Sequence, residues 1–109
     1  MARDEGLEAL LEDELAGEPD LVVKPMFGGR AWLLHGHLLC GARHDGILFR
    51  LGRGRDGWAL AVAGVAPMFS RDRRMEGWVR ATPEACGDDT LRRRLLDAAL
   101  AFVATLPPK

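Results

Sequence analysis

Residues 30–51 read RAWLLHGHLLCGARHDGILFRL, an apolar-rich segment that is interrupted by His35-Gly36 and by Asp45-Gly46. A glycine that follows a polar residue between apolar runs is typical of the two-residue turns that join antiparallel strands. We therefore predict a three-stranded antiparallel meander with these two dipeptides at its turns. The predicted opposite pairs are Leu33–Leu38, Ala31–Cys40, Ala42–Phe49 and Cys40–Leu51.

This register sorts the side chains onto two faces of the predicted sheet. The first face is uniformly apolar and is predicted to face the core. The second face is mixed, although an antiparallel sheet facing water normally alternates to polar residues. We therefore predict that either a helix of the same chain or a second subunit covers part of the mixed face. The predicted core face holds Ala31, Leu33, Leu38, Cys40, Ala42, Ile47, Phe49 and Leu51, and the mixed face holds Trp32, Leu34, His37, Leu39, Gly41, Arg43, Leu48 and Arg50.

Four residues of the mixed face are candidate contacts with a partner protein. Tryptophan and arginine are enriched at the hot spots of protein interfaces. An apolar surface beside arginines is also stabilised when a partner buries it. The candidate contacts are Trp32, Leu39, Arg43 and Arg50.

Apolar residues recur at helical spacing on both sides of the meander. Asp4 is a good N-cap for a helix over residues 5–16, and Gly17 suits its C-terminal end. Apolar periodicity also predicts a helix from about 89 to 106 and a shorter one over 55–63. Further strands are predicted at 21–24, 66–70 and 75–81.

These elements follow the order α-β(3-4)-α-β-β-α, with three helices and an antiparallel sheet of about five to six strands. Because strands and helices do not alternate as βαβ units, the predicted class is α+β. The chain has 109 residues, a length typical of one domain, so we predict a single domain over residues 1–109.

The net charge of −1 conceals an uneven distribution. Residues 1–20 hold eight acidic residues and one basic residue, whereas residues 21–80 hold ten basic and four acidic residues. We interpret this as an acidic first helix near a basic part of the same fold, in preference to a basic face for an anionic partner. Direct binding to nucleic acid is disfavoured because tyrosine is absent, aromatic residues make up 6% of the chain and acidic residues interrupt the arginines at 71–74.

The cysteine content and the absence of long apolar runs predict a cytoplasmic protein with reduced thiols and no membrane association. The two cysteines, Cys40 and Cys86, form no CxxC motif, and a small secreted scaffold normally carries more. The first residues are acidic and do not resemble a signal peptide. No apolar run reaches the roughly 18 residues of a transmembrane helix.

The sequence predicts no catalytic residue, no metal ion and no cofactor. The predicted register does not bring the histidines and the cysteine of the meander together as a tetrahedral site requires. Cys40 falls on the predicted core face, where a free cysteine behaves as a small hydrophobic residue. The residues of this group are His35, His37, Cys40 and His44.

Residues 24–30, KPMFGGR, have two interpretations. Successive backbone N–H groups in a glycine turn can bind an anion, and Lys24 and Arg30 flank this turn. A tight turn anchored by buried Met26 and Phe27 is the favoured interpretation, because two adjacent glycines are a weak motif.

Several segments together resemble the TfoX/Sxy N-terminal domain family. They are KPMFGG at 24–29, the hairpin at His35-Gly36, Cys40-Gly41, Pro67-Met68, MEGWV at 75–79 and LPPK at 106–109. The resemblance implies a small α+β domain with a secretion-chaperone-like fold, and it implies no catalytic residues. The family-motif residues, which we interpret as structural, are Lys24, Met26, Phe27, Gly28, Gly29, Met75, Gly77 and Trp78.

The same resemblance implies a regulatory role. Full-length relatives carry a second, C-terminal domain and act as coactivators with the cyclic-AMP receptor transcription factor. We therefore expect a stand-alone, non-enzymatic module that acts by protein contact. A transcription factor is the partner that the resemblance implies, and a second copy of the chain is a further candidate. The alternative is a small-molecule-binding domain or an enzyme with a pocket near the turn at 26–30.

Overall fold

A computed structural model describes residues 3–26 and 28–109 of the chain. The elements are α1 (Glu5–Leu15), β1 (Leu21–Met26), β2 (Gly29–Leu34), β3 (His37–Arg43), β4 (Gly46–Arg50), α2 (Gly57–Leu60), β5 (Val65–Ser70), β6 (Arg73–Ala81), α3 (Pro83–Cys86) and α4 (Asp89–Val103). The strands form one sheet in the order β1-β2-β3-β4-β6-β5, and every neighbouring pair is antiparallel. The predicted α+β class and the five to six strands are confirmed.

The described part of the chain has four helices, one more than predicted. The second helix is shorter than the predicted 55–63, and α3 is additional. α3 begins where the Thr82 side chain accepts a hydrogen bond from the backbone N–H of Ala85 at 3.2 Å. Pro83 occupies its first turn. Both features are typical of helix starts, but the sequence prediction assigned no helix to this segment.

Side-chain caps fix the starts of the two long helices. In α1, Asp4 Oδ1 accepts a hydrogen bond from the N–H of Leu7 at 3.0 Å. In α4, Asp88 Oδ1 accepts one from the N–H of Leu91 at 3.1 Å. Each cap satisfies an N–H group that the first helical turn leaves unpaired. The apolar stripe predicted for α1 is buried at Leu7, Leu11 and Leu15.

The buried apolar residues of all four helices lie in one cluster on one side of the sheet. We call this side the helical face and the opposite side the open face. In residues 3–26 and 28–109, no buried helical residue belongs to the open face. The helical face includes Trp32, Leu34, Leu39, Cys40, Ala42, Ile47, Phe49, Val79 and Ala81, and the open face includes Ala31, Leu33, Leu38, Gly41, Arg43, Leu48, Arg50, Trp78 and Arg80.

The prediction places the β3–β4 turn one residue too far along the chain, which shifts the predicted pairing of β3 with β4 by two residues. The loop is His44-Asp45, and Gly46 is the first residue of β4. A Cβ at Gly46 would lie 1.9 Å from the carbonyl oxygen of Ala81, so contact with β6 requires this glycine. Because a shift of two residues preserves the alternation of side chains, the predicted faces of β4 remain correct. The observed opposite pairs are Cys40–Phe49, Gly41–Leu48, Ala42–Ile47 and Arg43–Gly46.

A β-bulge between β2 and β3 inverts the predicted faces of β2. The turn is His35-Gly36, with φ values of 52° and 85°, and Leu33 lies opposite Leu38 as predicted. The register then shifts between Trp32 and Leu33, which leaves Leu39 as the extra residue on β3. Beyond the shift, the opposite pairs are Arg30–Ala42, Ala31–Gly41 and Trp32–Cys40.

The bulge places Trp32 and Phe49 on the same side of the sheet, because both lie opposite Cys40. The hydrophobic pattern does not reveal this shift. Residues 31–34 and 38–40 are continuous apolar runs, so a one-residue slip exchanges one apolar residue for another. The predicted faces are therefore wrong for Ala31, Leu33 and Leu38, which lie on the open face, and for Trp32, Leu34, His37 and Leu39, which lie on the helical face.

Candidate functional site

Two of the four predicted partner contacts lie in the core. Trp32 is 2% exposed and Leu39 is fully buried, and both belong to the cluster beneath the helices. Neither side chain can meet a partner while the chain is folded. Arg43 and Arg50 do lie on the open face, and both are half-buried. The candidate contact surface is therefore the open face of the sheet, where Arg43 and Arg50 lie.

A groove of about 300 Å³ lies over the open face, beside the β5–β6 hairpin. Its floor is apolar, since Leu48 on β4 is 2% exposed and Met68 on β5 is also buried. Phe69 forms the rim and is 52% exposed. We call this cavity the open-face groove, and its lining residues are Leu38, Arg43, Leu48, Met68, Phe69, Ser70, Arg71, Met75 and Trp78.

Asp45 holds two of the open-face arginines in place. The Arg43 guanidinium donates hydrogen bonds of 2.6 and 2.7 Å to the Asp45 carboxylate. Arg80 donates to the Asp45 carbonyl oxygen at 2.9 Å. The hydrogen bond from Arg43 lowers the pKa of Asp45, and the positive charge of Arg80 adds to the effect. Arg80 therefore joins the β3–β4 turn to β6, whereas Arg43 bonds within the β3–β4 hairpin.

A second cavity, of about 320 Å³, lies next to the groove, and Trp78 lines both. The Cζ atom of Arg50 lies 5.6 Å from the centre of the Trp78 ring and 5.7 Å from that of the Phe102 ring. Arg50 and Trp78 are opposite each other in the β4–β6 pair, so the register brings cation and ring together. We call this cavity the arginine pocket, and its lining residues are Arg50, Gly52, Arg53, Arg73, Arg74, Glu76, Gly77, Trp78 and Phe102.

Two of the four arginines in this pocket are paired with carboxylates. Arg53 Nη2 lies 2.5 Å from Glu76 Oε2, and Arg74 Nη2 lies 3.6 Å from Asp56 Oδ2. The hydrogen bond from Arg53 lowers the pKa of Glu76, which keeps this carboxylate ionised at neutral pH. Within the described ranges, Arg50 and Arg73 form no ion pair.

The segment 75–78 gives the arginine pocket its shape. Four residues of β6 oppose the single residue Met68 of β5, because Pro67 pairs with Val79 and Phe69 pairs with Arg74. Gly77 lies in this bulge with φ of 86°. The motif residues Met75, Gly77 and Trp78 therefore line the two cavities.

The other motif segment lies at the opposite edge of the sheet. Lys24 and Met26 belong to β1, and Phe27 lies outside the described residues. Gly28 has φ of 73°. A Cβ at Gly29 would lie 2.0 Å from the carbonyl oxygen of Ala42, so close contact between backbones requires glycine there.

A cavity of about 390 Å³ lies beside this turn. Two of its cations, Arg3 and Arg30, already face the Glu8 carboxylate at 2.6 and 3.7 Å. Among its described lining residues, none carries a carboxylate, imidazole or thiol that could act as an acid or a base. The lining residues are Arg3, Val23, Lys24, Pro25, Gly29 and Arg30.

The surroundings of the cysteines and of His37 do not resemble those of catalytic or metal-binding residues. Cys40 and Cys86 are buried; burial raises the pKa of both thiols, that of Cys86 to about 11. A thiol with a raised pKa is a poor nucleophile at neutral pH. His37 Nε2 lies 2.6 Å from the carbonyl oxygen of Pro107. In the part of the chain that the structure describes, no group of three His, Cys, Asp or Glu residues is placed to hold a metal ion.

The sequence signals for the two cavities were present but weak. The arginines at 71–74 lie close to Trp78 in the sequence, but the acidic residues that interrupt them weaken the pattern. Phe69 and Phe102 carry no signal of their own, since each is an apolar residue in an apolar segment. Only the bulge in β6 and the end of α4 bring them beside the arginines.

None of the described helices is long and apolar enough to cross a membrane. Comparison of the chain with family models, with curated proteins and with solved structures gives no match. The resemblance to the TfoX/Sxy N-terminal domain family therefore stays a prediction. The open-face groove and the arginine pocket have to be interpreted from their own chemistry.

Proposed function

We propose that this chain is a non-enzymatic interaction module whose open-face groove binds a segment of a partner protein that carries apolar and acidic side chains. The observation that carries the proposal is the groove itself. It has a buried apolar floor of Leu48 and Met68 on a sheet face to which the described helices contribute no buried residue.

The apolar surface of the groove supports the proposal that its ligand is a protein segment. An exposed phenylalanine beside a buried methionine and leucine offers the anchor and the pocket that interface hot spots use. Phe69 is 52% exposed, which leaves most of the ring available for a partner to bury. Methionine side chains such as Met75 can adapt to the shape of the segment that they contact.

The positive charges around the groove support the proposal that the partner segment is acidic. Arg71 lines the groove and Arg73 lies two residues further on; within residues 3–26 and 28–109, neither forms an ion pair. Complementary charge on a partner would speed association and select the correct orientation. The resemblance to the TfoX/Sxy family supports a regulatory partner, such as a transcription factor.

The chemistry of the cavities favours binding over catalysis. General acid–base catalysis needs a group whose pKa lies near the working pH. The ionisable lining residues of the arginine pocket are four arginines, which stay charged, and Glu76, whose pKa Arg53 lowers. The free, buried thiols suit a reducing compartment, so the proposal places the module in the cytoplasm.

Selection from a phage-displayed library of random peptides on the immobilised chain tests the proposal. We expect enriched peptides that combine apolar residues with Asp or Glu. Phe69→Ser should weaken their binding by about tenfold or more, because it removes the anchor. Val22→Ser is the matched control, since Val22 is equally exposed at 52% but lies on β1 at the opposite edge of the sheet.

Equal binding of the enriched peptides to the wild type and to Phe69→Ser would overturn the proposal. Sedimentation of the wild type without peptide tests whether the groove instead binds a second copy of the chain. A dimer that Phe69→Ser dissociates and Val22→Ser preserves would assign the groove to self-association instead.

A further inference from the structure

We propose that the arginine pocket binds a small anion that carries a phosphate group. This inference goes beyond the interaction proposed for the open-face groove, because it concerns a different cavity and a different class of ligand. It rests on the charge of the pocket, on the fixed position of Arg50 and on the size of the cavity.

The pocket holds more positive than negative charge. Four arginines line it, whereas one carboxylate, Glu76, lies in the lining and a second, Asp56, lies 3.6 Å from Arg74. Among residues 3–26 and 28–109, two positive charges of this cavity therefore stay uncompensated. A phosphate monoester carries a charge of about −1.5 to −2 at neutral pH, which matches this excess.

Arg50 is positioned by two aromatic rings before any ligand binds. The guanidinium of Arg50 lies over the rings of Trp78 and Phe102, which restrict its orientation while leaving its N–H groups without a carboxylate partner in the described ranges. A planar guanidinium offers two parallel N–H donors that fit the oxygens of a phosphate. Holding this group in place before binding lowers the entropy cost of association.

The walls of the pocket are rigid where the backbone forms them. A Cβ at Gly52 would lie 2.6 Å from Cδ1 of Phe102, so the ring packs directly on the glycine. Gly77 accepts hydrogen bonds from the N–H groups of Leu51 and Gly52 at 2.8 and 3.1 Å. These contacts fix the end of β4 against the bulge in β6 and against the last turn of α4.

The volume limits the ligand to a small molecule. Pockets for small ligands range from about 300 to 1,000 Å³, and the arginine pocket, at about 320 Å³, falls at the lower end. Inorganic phosphate, pyrophosphate and the phosphates of a nucleotide share the chemistry that the arginines recognise. A nucleotide would differ by placing its base against an aromatic wall such as Trp78.

Isothermal titration of the full chain with sodium pyrophosphate, inorganic phosphate and ATP tests the proposal, at about 50 mM salt to limit screening. We expect pyrophosphate to bind with one site per chain and Arg73→Gln to weaken binding by about tenfold. Arg73 is exposed, so its substitution should leave the fold intact. Arg93→Gln is the control, because Arg93 is also exposed but pairs with Asp97 on α4, outside the pocket.

The ATP titration distinguishes the sources of the phosphate group. Tighter binding of ATP than of pyrophosphate, lost in Trp78→Leu, would assign a nucleotide, whereas equal binding would assign the phosphate group alone. The absence of heat up to about 5 mM pyrophosphate would overturn the proposal. Equal weakening by Arg73→Gln and Arg93→Gln would also overturn it, since non-specific attraction to exposed arginines would then explain the binding.

Discussion

Gly77 and Gly52 lie backbone against backbone, with the Gly77 carbonyl oxygen 3.1 Å from the Gly52 nitrogen. A Cβ at Gly77 would lie 2.6 Å from the carbonyl carbon of Gly52. This contact joins the bulge of β6 to the end of β4. It also fixes Trp78, the residue shared by the open-face groove and the arginine pocket.

Gly77→Ala should destabilise the chain by about 2 to 4 kcal/mol. The substitution combines a strained positive φ with a clash against backbone atoms that cannot move independently. Urea denaturation measures the change. Gly17→Ala is the control, because a Cβ at Gly17 meets no atom of the described residues within 4 Å and φ there is not positive. Equal stability of Gly77→Ala and the wild type would contradict the close contact.

Trp32→Ala should destabilise the chain by about 3 to 5 kcal/mol, the range for truncating a buried aromatic residue. The side chain is 2% exposed and packs among the helices. Trp58→Ala is the comparison and should cost less, since Trp58 is half-buried. The Cζ atom of Arg94 lies 4.2 Å from the centre of the Trp58 ring. A loss below about 1 kcal/mol at Trp32 would indicate a surface position and contradict the observed register.

The register of β2 shows which parts of the fold can be predicted from the sequence and which cannot. Capping residues and helical periodicity predict α1 and α4 because both signals are local. The faces of β4 are also predictable, since Arg50 and Leu48 alternate with Ile47 and Phe49. The bulge at Leu39 is not predictable, because exchanging one apolar residue for another leaves the pattern unchanged.

The two cavities depend on contacts between segments that are distant in sequence. Phe102 reaches the arginine pocket from the last turn of α4, and Arg50 reaches it from the end of β4. Gly77 is the one local signal, since glycine between large residues indicates an unusual backbone. The sequence indicates an unusual backbone at Gly77 within a predicted strand, but it does not predict which segments meet there.

Asp45 should make stability depend on pH at the acidic end. Its pKa in the folded chain lies below the ordinary value, first because Arg43 donates hydrogen bonds to its carboxylate. The resulting stabilisation is fully present above the pKa of the unfolded state, roughly 4, and is lost as the pH falls through the lower pKa of the folded state. The wild type should therefore be more stable than Asp45→Asn at neutral pH.

Urea denaturation of both proteins at several pH values checks this prediction. The difference in unfolding free energy should be largest near neutral pH and should shrink below roughly pH 4. A difference that stays constant down to the acidic end would mean that the carboxylate has the same pKa in both states.

The thiols of Cys40 and Cys86 should be protected from reagents in the folded chain. Both are buried, and burial raises the pKa of Cys86 to about 11. Little thiolate is therefore available to react with a disulfide reagent such as DTNB at mildly alkaline pH. We expect slow release of the chromophore from the native chain and rapid reaction of both thiols in urea. Rapid reaction of one thiol without urea would contradict the burial of that cysteine.

Arg92 is an exception to the rule that charged residues of a helix face water. It is 5% exposed, and Nε donates to Glu14 Oε1 at 3.0 Å while Nη1 donates to the Cys86 carbonyl oxygen at 2.6 Å. Arg92 is buried because α1 brings a carboxylate to meet it, and helical periodicity cannot reveal a partner on another element.

Removing only one member of this pair should cost more than removing both. Arg92→Met should destabilise the chain by about 3 to 5 kcal/mol, because the half-buried Glu14 carboxylate would lose the buried cation that faces it. The double variant Arg92→Met/Glu14→Leu should recover a large part of that loss, since apolar residues of similar size can replace a buried ion pair. Urea denaturation of the wild type, both single variants and the double variant gives the coupling energy. A double variant as unstable as the sum of the single variants would mean that the two charges do not interact.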